Sequence, residues 1–434
     1  MSALPRRVAP QAPARRGWCP SLMRPMPSGD GLLARVHPRL GILSAAQLRA
    51  LAEAARRYGN GHLDVTARGN IQIRGVRDAD VCALADRLAA AGLGDTRSDG
   101  GPQRVTLTSP LAGLDPSEAV DGLALARTIE DAALAVAGLP AKTLVAIAGR
   151  GCAGAEADIL VSPEADGRLA IALAPPDDAG AVTAIVASPD EAAGAVAAML
   201  SAFAASGARR VRDLATADRA RVTTAGRRAV SAPPRDGGAC SVAQAALPAG
   251  LSPLGRHWIV CVEAPFGRCT TEGLDRLAEA ADLCAADIRT SASRGFVLPV
   301  RDEAAAREAL RLLAETGFVT GGDDPRRAVA ACPGGPACAS GETPASADAA
   351  RLADAFRGFA ARGLRAHVSG CAKGCAHPGP SDLTLVGEAG GYGIVLGGPA
   401  SASPRAHLSF EAALERVRRA APAEPLADVF KVPT

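Results

Sequence analysis

Apolar positions along the chain fall into rhythms that occur twice. In Leu48-Arg-Ala-Leu-Ala-Glu-Ala-Ala55, and again in Leu274-Asp-Arg-Leu-Ala-Glu-Ala-Ala281, they recur at i, i+3, i+4 and i+7, the buried stripe of an amphipathic helix. Each helix is followed by an alternating stretch, Leu63 to Arg74 in one case and Ile288 to Pro299 in the other, which reads as strand, glycine-bearing turn, strand. Further helical patterns end at Leu88 to Leu93 and at Leu313 to Phe318, and the strands Ala157-Asp-Ile-Leu-Val161 and Ser381-Asp-Leu-Thr-Leu385 also correspond. Order and offset are kept, so the chain reads as a duplication. Pro233-Pro234, Gly237-Gly238, Pro248 and Pro253 crowd into 226–255, the expected linker between a first half, 1–225, and a second half, 256–434. The expected fold is α+β, two halves around a pseudo-twofold axis, with a ligand site where they meet.

Composition narrows the function. The 434 residues carry 48 Lys and Arg against 45 Asp and Glu, a net charge of +3, which gives no reason to expect a nucleic-acid or polybasic membrane partner. Ala192 to Ala208, bracketed by Glu191 and Arg209, reads as an Ala-rich soluble helix and not a membrane span. The Arg6-Arg7 pair lacks the apolar core of a signal, so the expected compartment is the cytoplasm. In a reducing compartment the 11 cysteines are thiols to be explained by spacing.

Cys332-Pro-Gly-Gly-Pro-Ala-Cys338 and Cys371-Ala-Lys-Gly-Cys375 are two glycine-rich loops with two thiols each. Four thiolates on loops whose glycines allow close backbone approach suit a [4Fe–4S] cluster, whereas zinc usually takes pairs two to four residues apart. Cys19, Cys82, Cys152, Cys240, Cys261, Cys269 and Cys284 show no pairing rhythm and read as small buried hydrophobes.

Cys-x5-Cys followed by Cys-x3-Cys, late in a duplicated chain, resembles the siroheme-dependent sulfite and nitrite reductase superfamily. Arg35-Val-His-Pro-Arg-Leu-Gly41 and Thr66-Ala-Arg-Gly-Asn-Ile-Gln-Ile-Arg74 are similar to its tetrapyrrole-contacting segments. The resemblance implies a ferredoxin-like reductase subdomain and a tetrapyrrole-contacting α+β domain in the first half. It also implies that Arg35, Arg68, Gln72 and Arg74 meet the carboxylated macrocycle, a role suited to planar, permanently charged guanidinium groups.

Where those reductases carry an Arg-Lys-x-Lys run for their anionic substrate, this chain has Ala141, Lys142 and Leu144, so Lys142 is the one cation left as a candidate catalytic residue. Cys19 to Gly31, Ser109-Pro-Leu-Ala-Gly-Leu-Asp115 and Arg294-Gly-Phe-Val-Leu-Pro299 are most similar to the precorrin-3B synthase family of aerobic cobalamin biosynthesis. That resemblance implies a monooxygenase acting on precorrin-3A and O2, with electrons drawn from NAD(P)H through a separate donor or reductase, and an additional non-haem iron. A siroheme reductase and a non-catalytic electron-transfer protein stay open as alternatives. Gln103-Arg104-Val105 departs from the family pattern, which leaves the role of Arg104 unassigned. Among six histidines, His367 and His377 flank the second cysteine loop and are the best candidates for a further iron. Gly149-Arg-Gly-Cys-Ala-Gly154 matches a dinucleotide-binding pattern but no helix follows it, so it reads instead as the counterpart of a cluster loop.

Overall fold

The computed structural model describes residues 19–152, 157–175, 184–231, 247–421 and 423–431. The first half begins β1 (Met26–Ser28), β2 (Gly31–Val36), β3 (Ile42–Leu43), α1 (Ala45–Tyr58), β4 (His62–Val65), β5 (Ile71–Val76), α2 (Val81–Ala90). It continues β6 (Thr106–Leu107), α3 (Gly122–Leu134), β7 (Val145–Ile147), β8 (Ile159–Pro163), β9 (Leu169–Leu173), β10 (Ile185–Ala187), α4 (Pro189–Ala205) and α5 (Thr216–Arg227). The second half repeats this plan with β11 (Gly250–Leu254), β12 (His257–Glu263), β13 (Arg268–Thr270), α6 (Thr271–Leu283), β14 (Ile288–Ser291), β15 (Gly295–Val300) and α7 (Glu303–Ala314). It ends with β16 (Val329–Ala331), α8 (Ala345–Ala360), β17 (Ala366–Ser369), β18 (Ser381–Glu388), β19 (Gly391–Gly398), β20 (Ala406–Leu408), α9 (Phe410–Arg419) and α10 (Leu426–Val429).

These strands form four five-stranded sheets in two matching pairs. The antiparallel pair has the orders β1-β2-β5-β4-β13 and β11-β12-β15-β14-β3, so each half lends one short strand to the sheet of the other. The mixed pair has the orders β10-β9-β8-β7-β6 and β16-β17-β18-β19-β20, in which β6, β7 and β8 and likewise β16, β17 and β18 are parallel and the remaining neighbours antiparallel. The duplicated α+β plan read from the helices is the one observed, and the periodic segments coincide with α1 and α6, β4–β5 and β14–β15, and β8 and β18.

Even the unusual backbone is repeated. Leu40 and Phe266 adopt the left-handed region at φ 53° and 56°, and the glycines that follow, Gly41 and Gly267, also lie there. Two non-glycine residues in that region, at matching places, fix the sharp entry into the lent strands β3 and β13. Helix α1 then opens on a capping box between Ser44 and Gln47, and α6 on Thr270, whose hydroxyl accepts from the Gly273 N–H.

Because strands are exchanged, the halves share a core: Leu48, Leu51 and Ala55 of α1 and Leu274, Leu277 and Ala281 of α6 all belong to it. The stretch expected as linker is shorter than 226–255, since β11 begins at Gly250. Pro253 is tolerated there because β11 is an edge strand, where a missing N–H costs no ladder bond. Pro233-Pro234, Gly237-Gly238 and Cys240 lie outside the described residues, as do Arg6-Arg7 and the end of the Gly149–Gly154 motif. Leu277→Ala, at a fully buried position of the shared core, should cost about 2 to 5 kcal/mol in denaturant unfolding, with both halves lost in one transition.

Candidate active site and cluster loops

The four expected cysteines lie on two loops at one end of the second mixed sheet: Cys332 and Cys338 follow β16, and Cys371 and Cys375 follow β17. Adjacent parallel strands bring the loops together. A Cβ on Gly370 would stand 2.9 Å from the Gly334 Cα and 3.6 Å from the Cys332 sulfur, so only glycine lets the two backbones meet. The Gly370 N–H donates to Cys332 Sγ at 3.2 Å. Burial raises the pKa of Cys375, and Cys371, Cys332 and Cys338 push it further. Cys332 is likewise raised by burial, against the N–H groups of Gly370 and Gly334. Thiols that resist ionisation, with N–H donors aimed at the Cys332 sulfur, fit an iron–sulfur cluster, whose iron would supply the missing positive charge. Among the described residues no three His, Cys, Asp or Glu side chains converge as the ligands of a single ion would.

The first half has the same place without thiols. Counting from the paired strands, Ser109 and Asp115 stand where the second half has Cys332 and Cys338. There Asp115 pairs with Arg150 of the β7–β8 loop at 3.1 Å, and the Ser109 hydroxyl donates to the Arg150 carbonyl. Leu247 fills the remaining space, 2.7 Å from where a Gly151 Cβ would be. The described part of the glycine motif lies between two parallel strands, as the second cysteine loop does, with no helix among the described residues of that loop.

Arg74 corrects an expectation. It was expected at the macrocycle, but its guanidinium is buried and donates to Asp30 at 2.9 and 3.0 Å, to Asp64 at 3.0 Å, to the Ser28 hydroxyl and to the Ala337 carbonyl. Ala337 belongs to the first cysteine loop, and the Ser28 hydroxyl and Gly29 N–H also donate to its carbonyl. Arg294, itself in the left-handed region at φ 62°, does the same for the second loop through the Ala376 carbonyl. Both arginines therefore hold cysteine loops in place, and the Arg74 guanidinium is used up by Asp30, Asp64, Ser28 and Ala337.

The other expected arginines meet in a cleft of about 570 Å³ between the first antiparallel sheet and the first mixed sheet. Arg35, Arg68 and Arg104 line it with His37, Asn70 and Cys19, and Ala141, Thr143 and Leu144 form an opposite stretch of wall. Gln72 stands behind Arg35, accepting from its Nη2 at 2.8 Å. Arg68 donates to the Lys142 carbonyl at 3.3 Å. The Lys142 side chain is not part of the wall, contrary to the expected catalytic role: its neighbours Ala141 and Thr143 face the cleft instead. Arg104 is buried and donates to the carbonyls of Pro38, Gly69 and Arg68, and burial lowers its pKa to about 10 despite Glu130 behind it. His37 is held well below its usual pKa by burial and by Arg35 and Arg104.

Three atoms in this wall are buried with no hydrogen-bond partner: Arg35 Nε, His37 Nδ1 and Asn70 Oδ1. Each such group costs about 1 to 3 kcal/mol, so their concentration in one cleft points to a polar guest. His37 and Asn70 were not singled out in the sequence, and Arg104 was left there without a role. The available signal was His37 standing two residues beyond Arg35 at the end of the same strand.

The description "Nitrite/Sulfite reductase ferredoxin-like half domain" fits this chain twice, at residues 24–91 and 254–316, which are the two antiparallel units. The structure is similar to that of Mycobacterium tuberculosis NirA, with a TM-score of 0.71 over 92% of this chain and 83% of that one, at 21% identity, a likeness of fold. A ferredoxin–nitrite reductase of Leptolyngbya laminosa is 36% identical over 31% of this chain and 28% of its own length. The precorrin-3B synthase of Sinorhizobium sp is 36% identical over 91% of this chain and 86% of its own length. The chain belongs to the precorrin-3B synthase family. As a member of that family it is an enzyme of the oxidoreductase class with a role in cobalamin biosynthesis.

The two histidines expected beside the cysteine loops do meet: the rings of His367 and His377 pack edge to face with centroids 5.9 Å apart. His367 is fully buried with neither ring nitrogen partnered, and burial, with His377 and Arg294, lowers its pKa to about 4. The described residues supply no third side chain to complete a metal site there. Among the described residues, no helix is long and apolar enough to cross a membrane.

Arg74→Ala should cost about 3 to 5 kcal/mol, because it strips Asp30 of its buried counter-charge and leaves Asp64 with Arg268 alone. Denaturant unfolding measures the loss, and iron and sulfide analysis should show a weakened cluster site as well, since the Ala337 carbonyl loses its clamp.

Proposed function

We propose that this enzyme is an oxygen-dependent monooxygenase that converts precorrin-3A to precorrin-3B, hydroxylating C20 and closing the ring A acetate as a γ-lactone, in aerobic cobalamin biosynthesis. The observation that carries the reading is the wall of the cleft: three guanidinium groups and three unpartnered polar atoms opposite Ala141 and Leu144. Acetate and propionate groups of the macrocycle pair with Arg35 and Arg68, and Gln72 holds the Arg35 fork in orientation. An anion such as sulfite or nitrite finds no lysine in the Ala141 to Leu144 wall, whereas neutral O2 loses nothing beside an apolar one.

Cys332, Cys338, Cys371 and Cys375 are the residues that would hold a [4Fe–4S] cluster, which when bound supplies electrons one at a time. One oxygen atom enters the substrate and the other leaves as water. The balance takes two electrons and two protons, the electrons drawn from NAD(P)H through a separate donor.

Anaerobically purified enzyme given precorrin-3A, a reductant and 18O2 should yield product carrying one labelled oxygen, read by mass spectrometry. Reduction of sulfite or nitrite with no label in the macrocycle would overturn the reading. Arg35→Ala should weaken tetrapyrrole binding by about 1.5 to 3 kcal/mol, the range for a charge-assisted hydrogen bond, and leave the cluster spectrum unchanged. Cys371→Ser should instead remove or degrade the cluster, and full iron and sulfide content in that variant would contradict the assignment.

A further inference from the structure

Superposing the halves by strand register shows what the cleft lacks. Arg35 pairs with Gln72 across β2 and β5 as Cys261 pairs with Val297 across β12 and β15, so His37 corresponds to Glu263. Arg104 stands two residues before β6 as Arg327 stands two residues before β16, in sheets of the same register. In the second half the corresponding pair is complete, because Glu263 accepts from Arg327 at 3.2 and 3.0 Å. There Cys261 and Val297 are sealed under Leu111, Leu247 and Leu254. In the first half the carboxylate is missing. His37 occupies its position with an unpartnered Nδ1, and the guanidinium of Arg104 donates to three main-chain carbonyls.

We propose that one carboxylate of the bound ligand takes, between His37 and Arg104, the place that Glu263 takes beside Arg327, with His37 Nδ1 as its hydrogen-bond donor. His37 is thus a substrate-binding residue, and the duplication has turned an internal ion pair into half of an intermolecular one. A carboxylate so placed satisfies an orphan donor and gives Arg104 an anionic partner on the cleft side, opposite the buried Glu130. This inference rests on the cleft holding a carboxylated macrocycle.

The test uses the anaerobically purified holoenzyme and the octacarboxylated uroporphyrin III as probe, with binding followed by fluorescence. His37→Glu restores in the first half the carboxylate that the second half already has. It should pair with Arg104 and expel the ligand's carboxylate, so affinity should fall at least about 30-fold with the cluster spectrum unchanged. Ala67→Glu adds the same charge at an exposed position next to Arg68 but outside the wall, and should stay within about threefold of wild type. A loss in His37→Glu smaller than that, or an equal loss in Ala67→Glu, overturns the proposal. Should His37→Glu fail to fold, His37→Leu decides: it removes the donor and should weaken binding at least about fivefold, and unchanged affinity overturns the proposal. No binding of the probe by the wild-type enzyme would mean that the cleft reading itself fails, and this inference with it.

Discussion

The buried guanidinium of Arg74, held between Asp30 and Asp64, is the interaction on which the rest of the arrangement depends. One face of the first antiparallel sheet is apolar and covers α1 and α2. The other carries Arg35, Gln72, Asp64 and Arg268 opposite one another across β2, β5, β4 and β13, a row of three strand spacings, roughly 14 Å. A charged row of this kind can be buried only if its members satisfy one another. Asp64 does this by accepting from both Arg74 and Arg268. Arg74 then has donors left for the Ala337 carbonyl, and so ties a cysteine loop of the second half to a sheet of the first. At the other end of the row, Arg35 opens into the cleft. Cleft and cysteine loops are thus two ends of one rigid polar surface.

The duplication explains why the two ends differ. Each antiparallel sheet borrows a strand from the other half, so neither unit is closed alone and the two mixed sheets are held in fixed relation. Within that frame each half has specialised at a different place. The second keeps its thiols and has closed the position equivalent to the cleft with Cys261, Val297 and the Glu263–Arg327 pair. The first has closed the position equivalent to the cysteine loops with Asp115, Arg150 and Leu247, and has kept the cleft.

Much of this was legible in the sequence. The helical stripes of α1 and α6 and the strand pairs after them carry strong periodicity, and the four cysteines carry a spacing that few other sites use. Arg35 and Arg68 read as members of one site, and both line the same cleft. The strand exchange was not legible, since β3 has two residues and β13 three, too few to show any period. Arg74 could not be told from Arg35 by residue type: they lie on adjacent strands of the same sheet, and only the neighbouring acids Asp30 and Asp64 decide that one is spent internally. Lys142 was misplaced for a related reason, because in its segment the flanking residues turn toward the cleft. The exchange of Glu263 for His37 was present in the two half-sequences, but its meaning depends on knowing that Arg104 and Arg327 stand at corresponding positions.

The most direct measurement is a crystal structure of the anaerobically prepared enzyme with a carboxylated tetrapyrrole bound. The macrocycle should lie in the cleft beside Ala141 and Leu144 with its carboxylates at Arg35 and Arg104, and Arg74 should remain between Asp30 and Asp64 with the Ala337 carbonyl. A macrocycle seated elsewhere, such as the groove between Phe266 and the start of α8, or an Arg74 released to bind it, would contradict this division of roles.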